Sequence, residues 1–159
     1  MIDALEREAL RAWVGDLAAA PSRWAPHVAH RADQRIFVPL DAPEGTEAWL
    51  ICWMPGHDTG FHDHDLSSGA VTVVSGSVRE ERLRIGAQVT SEVYEAGQTF
   101  DFSPADIHRV THHGTEPAVT LHAYSPRLRR MGAYSVARSG ELQRFPLAYG
   151  EELRPREAA

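Results

Sequence analysis

The chain opens on helical spacing and then changes period. Over residues 3–19, Leu5, Leu10, Trp13, Val14 and Leu17 recur at the interval that places apolar side chains on one helix face. Gly15 weakens this helix, and Pro21, with no backbone N–H to continue the ladder, ends it. From about residue 35 the apolar positions fall into short runs broken by turn residues. Segments 35–40, 47–54, 62–65, 69–74, 77–85, 88–94, 99–102, 107–111, 118–124 and 134–137 read as strands. Pro55-Gly56, Ser75-Gly76, Ala96-Gly97 and His113-Gly114 mark turns between them. Many short, evenly spaced strands behind one helical segment predict an all-β sandwich or barrel. The expected organisation is a single domain over 1–159, with a helical segment (1–30), a β-barrel (35–148) and a polar, frayed tail (149–159).

Composition narrows the function classes. Hydrophobic residues at 43% and charged residues at 24% describe an ordinary globular chain. The net charge of -6 gives no electrostatic footprint for nucleic acid. All 16 basic residues are arginine, which excludes Schiff-base and P-loop lysine chemistry. The single cysteine, Cys52, lies in the apolar run 49–54 and is expected in the core, with no intrachain disulfide. The first twenty residues lack the basic-then-apolar pattern of a secretory signal, and no apolar run approaches a membrane span. A cytoplasmic protein, monomer or homodimer, is the expectation.

Of the 9 histidines, placement matters more than number. His62 and His64 are two apart in a strand-like segment, so both imidazoles should point to one face. Two neutral nitrogens on one face are half of a transition-metal site. Thr120, His122 and Tyr124 likewise alternate along one strand. His112 and His113 are expected in an exposed turn, and His57 at the mouth of a pocket.

Glycines frame the histidines at regular distances. Gly56 stands before His62, Gly76 after His64, and Gly97 and Pro104 before His108. The segments 56–76 and 97–108 resemble the two metal-binding motifs of the cupin superfamily, whose fold is a double-stranded β-helix or jelly-roll barrel. The resemblance implies that His62, His64 and His108 bind one metal ion. Many cupins carry a ligand glutamate where this chain has Gly69, so no carboxylate is expected in the site. Three imidazoles would leave a divalent ion its full charge and attract anionic ligands.

The likeness narrows over 35–126. Cys52-Trp53-Met54-Pro55-Gly56-His57, Phe61-His62-Asp63-His64, His108-Arg109-Val110 and His122-Ala123-Tyr124-Ser125-Pro126 are similar to the cysteine dioxygenase family. That resemblance implies Fe(II), one per chain, held by His62, His64 and His108. It implies Tyr124 beside the metal, His122 hydrogen-bonded to it and Thr120 behind. It implies Arg35 as the arginine for a substrate carboxylate, with Arg31 as alternate. The substrates implied are a small thiol, cysteine first, and O2, giving the sulfinate. Relatives specific for 3-mercaptopropionate place their arginine late, which directs attention to Arg127, Arg129 and Arg130. Animal members carry a cysteine at the position of Gly69 that crosslinks to the tyrosine, so Tyr124 is expected unmodified. Two other readings stand beside this: a non-enzymatic metal-binding cupin, and a zinc or nickel isomerase or hydrolase.

Overall fold

The computed structural model describes residues 2–148, 151 and 153–156, with side chains from Glu6 onward. The helix α1 (Ile2–Ala18) leads, and two short 3-10 turns follow it. Eleven strands come next: β1 (Ile36–Leu40), β2 (Glu47–Trp53), β3 (His62–Asp63), β4 (Ser68–Ser75), β5 (Ser77–Leu83), β6 (Thr90–Glu95), β7 (Thr99–Phe102), β8 (Ile107–His113), β9 (Ala118–Ser125), β10 (Arg130–Val136) and β11 (Leu142–Ala148). They form two sheets, β1-β2-β9-β4-β7 and β11-β10-β3-β8-β5-β6, with every pairing antiparallel. Among the described residues no helix is long and apolar enough to cross a membrane.

The central strands of the first sheet, β9 and β4, are buried on both faces, and the alternation of the strands shows why. Along β2, Ala48, Leu50 and Cys52 face the same apolar cluster as Leu10, Val14 and Leu17 of α1. Trp53 faces the opposite way, into the barrel. β9 repeats the division: Val119, Leu121 and Ala123 pack under the helix, while Ala118 and Tyr124 point inward. Each aliphatic side chain fully removed from water here contributes roughly 1.5–3 kcal/mol. Cys52 is buried as expected. Arg7 and Arg11 reach Asp101 on β7 at 3.3 and 2.9 Å, which fixes the helix along the sheet edge. Leu5 lies outside the described side chains.

Four expectations need correction. The strand expected over 62–65 ends at Asp63, because Asp65 takes φ 55 and turns the chain. His112 and His113 belong to β8 and are partly buried rather than exposed in a turn. β10 starts at Arg130, and β11 lies within the expected barrel span of 35–148 but was not among the strands read from the sequence. It is an outer strand of its sheet, where the missing N–H of Pro146 is tolerated. The tail is not frayed where it is described: Leu153 packs against the barrel core, and a Cβ on Gly60 would lie 2.7 Å from Pro155 Cα.

Asp63 ties three strands together beneath the histidines. Its carboxylate accepts from Arg144 at 2.8 and 3.0 Å, from the Gly132 amide at 3.1 Å and from the Tyr134 hydroxyl. Burial pushes its pKa up, but the bonds from Arg144 and Tyr134 outweigh burial and hold it at about 2. A depressed carboxylate pKa stabilises the fold above the unfolded-state value and loses that contribution as pH falls through the folded one. Asp63→Asn should therefore lower stability at neutral pH by roughly 1–2 kcal/mol, allowing for solvent screening of the half-exposed arginine. In urea titrations the gap to the parent should narrow as pH falls from about 4 towards 2; a pH-independent gap would contradict this account.

Candidate metal centre

Antiparallel pairing brings the three histidines together. His62 on β3 is the register partner of His108 on β8, and His64 follows where the chain turns away. One ligand nitrogen from each of the three lies within 4.8 Å of the others, and all three side chains are buried. Neighbouring rings are 4.6 to 5.0 Å apart between centroids.

Each outer nitrogen bears on which inner one is free. His62 Nδ1 faces the Gly60 carbonyl at 2.9 Å, so it carries the proton and leaves Nε2 with its lone pair. His108 Nδ1 meets the Glu80 carboxylate at 2.9 Å and is fixed the same way. Among the described residues neither Nε2 has a hydrogen-bond partner, and neither does the buried Nδ1 of His64. Burial, reinforced by neighbouring imidazoles, holds His62 and His64 well below the usual histidine pKa. Burial and Arg82 push His108 down to about 3. The centre is thus three uncharged imidazoles, with His64 Nδ1 buried and unpartnered among the described residues, a donor set that suits a divalent transition-metal ion.

Among the described residues no carboxylate joins this set. Glu80 is turned to the outside of His108 and bonded to Arg82 at 3.0 Å. Burial raises its pKa to about 7, against the pull of Arg82. At the position of the common cupin glutamate, Gly69 leaves room for the Phe102 ring, which a Cβ would overlap. Phe102 stacks on His64 at 4.3 Å and 21°.

The strand face of β9 adds the second group. Thr120, His122 and Tyr124 are buried in a row, with Thr120 Oγ1 2.7 Å from His122 Nε2 and the Tyr124 hydroxyl 3.3 Å from His122 Nδ1. The Tyr124 ring lies 5.4 Å from His64. Burial raises the Tyr124 pKa, so its hydroxyl keeps its proton. Arg35 immediately precedes β1 and is only 6% exposed. Its guanidinium sits 5.1 Å from the Trp53 ring centroid and donates to the Leu153 carbonyl. Arg35, Thr59, Tyr124, Leu128, Met131 and Leu153 line one cavity of about 90 Å³. Tyr124 therefore borders both the histidine cluster and the arginine's cavity.

The alternates lie elsewhere. Arg31 is exposed and paired with Asp33. Arg127, Arg129 and Arg130 border a separate cleft of about 360 Å³, which touches His64 from the side of Asp65 and Pro126. His57 accepts from the Met54 amide at 2.9 Å and lines a different cleft, beside Arg154. Glu80, Phe102 and Trp53 had no assigned role at the sequence level. Glu80 carried a readable signal, an acidic residue in step with the inward Val78 on β5.

An antiparallel double-sheet barrel that closes on three imidazoles is the architecture of the cupins. Among solved structures, oxalate oxidase superposes with TM-score 0.56 at 18% identity, covering 67% of this chain and 58% of that one. TT1209 from Thermus thermophilus gives 0.57 at 17%, covering 65% and 93%. The cupin domain of Schizosaccharomyces pombe Cnp3 gives 0.54 at 13%, covering 64% and 66%. These likenesses establish the fold. The family follows from sequence: the model of the family Cysteine dioxygenase type I matches residues 3–137, and the chain belongs to that family. Cysteine dioxygenase type 1 of Homo sapiens is 24% identical over 136 residues, covering 78% of this chain and 67% of the human protein. That of Danio rerio is 31% identical over 87 residues, covering 48% and 43%.

Two outcomes check this centre. Glu80→Gln, which keeps size but removes the carboxylate behind His108, should weaken metal binding about 10- to 100-fold in a chelator competition. Unchanged affinity would show that Glu80 does not orient the ligand. The intact mass should equal that of the unmodified chain, because Gly69 offers Tyr124 no thiol; a loss of two hydrogens at Tyr124 would refute this.

Proposed function

We propose that the chain is an iron-dependent thiol dioxygenase that converts cysteine to cysteine sulfinate with O2. The observation that carries this reading is a three-imidazole cluster, free of carboxylate among the described residues, that shares Tyr124 with a cavity containing Arg35. A structural metal site would close its ion in with four protein ligands, whereas three leave positions open for exogenous ones. Family membership supports the reaction class.

In this reading His62, His64 and His108 hold one Fe(II) per chain. Ferrous iron held there would supply the redox chemistry that joins thiol and dioxygen, both oxygen atoms ending on sulfur. The rest falls to side chains. Arg35, buried and stacked on Trp53, binds the substrate carboxylate through its planar fork. That anchor places the thiol toward the histidines, and fixing the reacting groups side by side supplies a large part of the rate. Leu128, Met131 and Leu153 make the cavity apolar and keep water away. Tyr124, still protonated, donates a hydrogen bond to the ligand, with His122 and Thr120 holding it in place. The partners are small molecules, with no role for nucleic acid.

Cysteine and labelled dioxygen, given to the iron-loaded protein, should yield cysteine sulfinate carrying both labelled atoms. Incorporation of a single labelled atom would eliminate the mechanism. Arg35→Ala should raise KM for cysteine by about tenfold or more while leaving cysteamine, which has no carboxylate, nearly unaffected. If Arg127→Ala raises KM instead, the substrate carboxylate lies in the other cleft and a thiol acid such as 3-mercaptopropionate becomes the leading substrate.

A further inference from the structure

Trp53 stands at the closed end of the row that reaches the cavity through Tyr124. Its wholly buried indole donates Nε1–H to Thr120 Oγ1 at 2.8 Å. Beyond that come Thr120 to His122 Nε2 at 2.7 Å and His122 Nδ1 to the Tyr124 hydroxyl at 3.3 Å. Among the described residues, Thr120 Oγ1, the His122 ring nitrogens and the Tyr124 hydroxyl have no other hydrogen-bond partners.

Counting donors gives this row a direction. An indole N–H can only donate, so Thr120 Oγ1 accepts from it. The hydroxyl keeps one hydrogen of its own. The indole N–H already occupies one side of the oxygen, so that hydrogen has one acceptor within reach, His122 Nε2. A protonated Nε2 would strand the Thr120 hydrogen in a buried site, at the cost of a lost hydrogen bond. His122 is buried and uncharged, its pKa pushed down to about 3 by desolvation and the neighbouring His108. Its single proton therefore sits on Nδ1 and is donated to the Tyr124 oxygen. The Tyr124 hydrogen, with no acceptor left on His122, is available to the cavity.

We infer that Trp53 is a positioning residue: as a fixed donor it orients the row Trp53–Thr120–His122–Tyr124 so that the tyrosine offers its hydrogen to a ligand. This rests on the dioxygenase reading for its consequence in turnover, but not for its hydrogen-bond direction. The same indole carries the Arg35 guanidinium on its face. Trp53→Phe separates the two tasks. It keeps an aromatic surface beneath Arg35 and removes the N–H, opening a gap where water can accept the Thr120 hydrogen and let His122 change tautomer.

The direct test is the tautomer of His122 in the zinc-loaded full chain, read from histidine 15N shifts and assigned with His122→Gln. The parent should carry its proton on Nδ1; a proton on Nε2 overturns the inference. In Trp53→Phe the Nε2-protonated form should appear, and kcat of the iron-loaded protein with cysteine should fall about tenfold at unchanged KM. If tautomer and kcat both stay at the parent values, Trp53 does not orient the row. Thr120 gives a second route should Trp53→Phe fail to fold: Thr120→Ser, which keeps the hydroxyl, should keep the parent tautomer, and Thr120→Val should lose it; loss of the parent tautomer in Thr120→Ser, or its retention in Thr120→Val, overturns the direction of the row. The parent tautomer shifting as expected in a protein that oxidises no thiol would sustain the inference and remove the proposed activity.

Discussion

An imidazole has two nitrogens, and a hydrogen bond at one fixes which lone pair the other can offer an ion. That constraint orders two of the three rings in the centre, while His64 has no such partner among the described residues. The Gly60 carbonyl takes the outer nitrogen of His62, and the Glu80 carboxylate takes that of His108. Both acceptors come from backbone or strand positions whose place is set by sheet register, so the inner lone pairs converge before any ion arrives. Depressed basicity follows from the same burial and keeps the rings uncharged at neutral pH.

The strands can hold such a centre because the middle of the first sheet is covered on both sides. Helix α1 covers the outer face of β4 and β9, and the inner face becomes the wall of the site. Polar residues on that inner wall therefore lie in a dry environment, where each hydrogen bond is strong and each unmade one costly. This is why the row from Trp53 to Tyr124 has little freedom in how its protons are arranged.

The strand period of two was enough to place His62 and His64 on one face, and Thr120, His122 and Tyr124 on another. Their roles, and the choice of His108 as third ligand, came only from the resemblance of the surrounding motifs to a known family. What stayed hidden depends on contacts between distant segments. Glu80 meets His108 across 28 positions, and Trp53 meets Thr120 across 67. Neither distance leaves a periodic trace. β11 (Leu142–Ala148) carries no clear alternation of apolar and polar residues, so no strand signal stands out in it. The docking of Leu153 rests on a lone apolar residue in a polar stretch, which carries no period at all.

Gly69 and Phe102 share one volume: the ring lies where the glycine's missing side chain would stand. The two positions are therefore coupled in packing. A side chain at 69 needs the Phe102 ring to move off His64, and shrinking 102 alone opens a void against that histidine, so the glycine sets how closely the ring is pressed on one metal-ligand candidate.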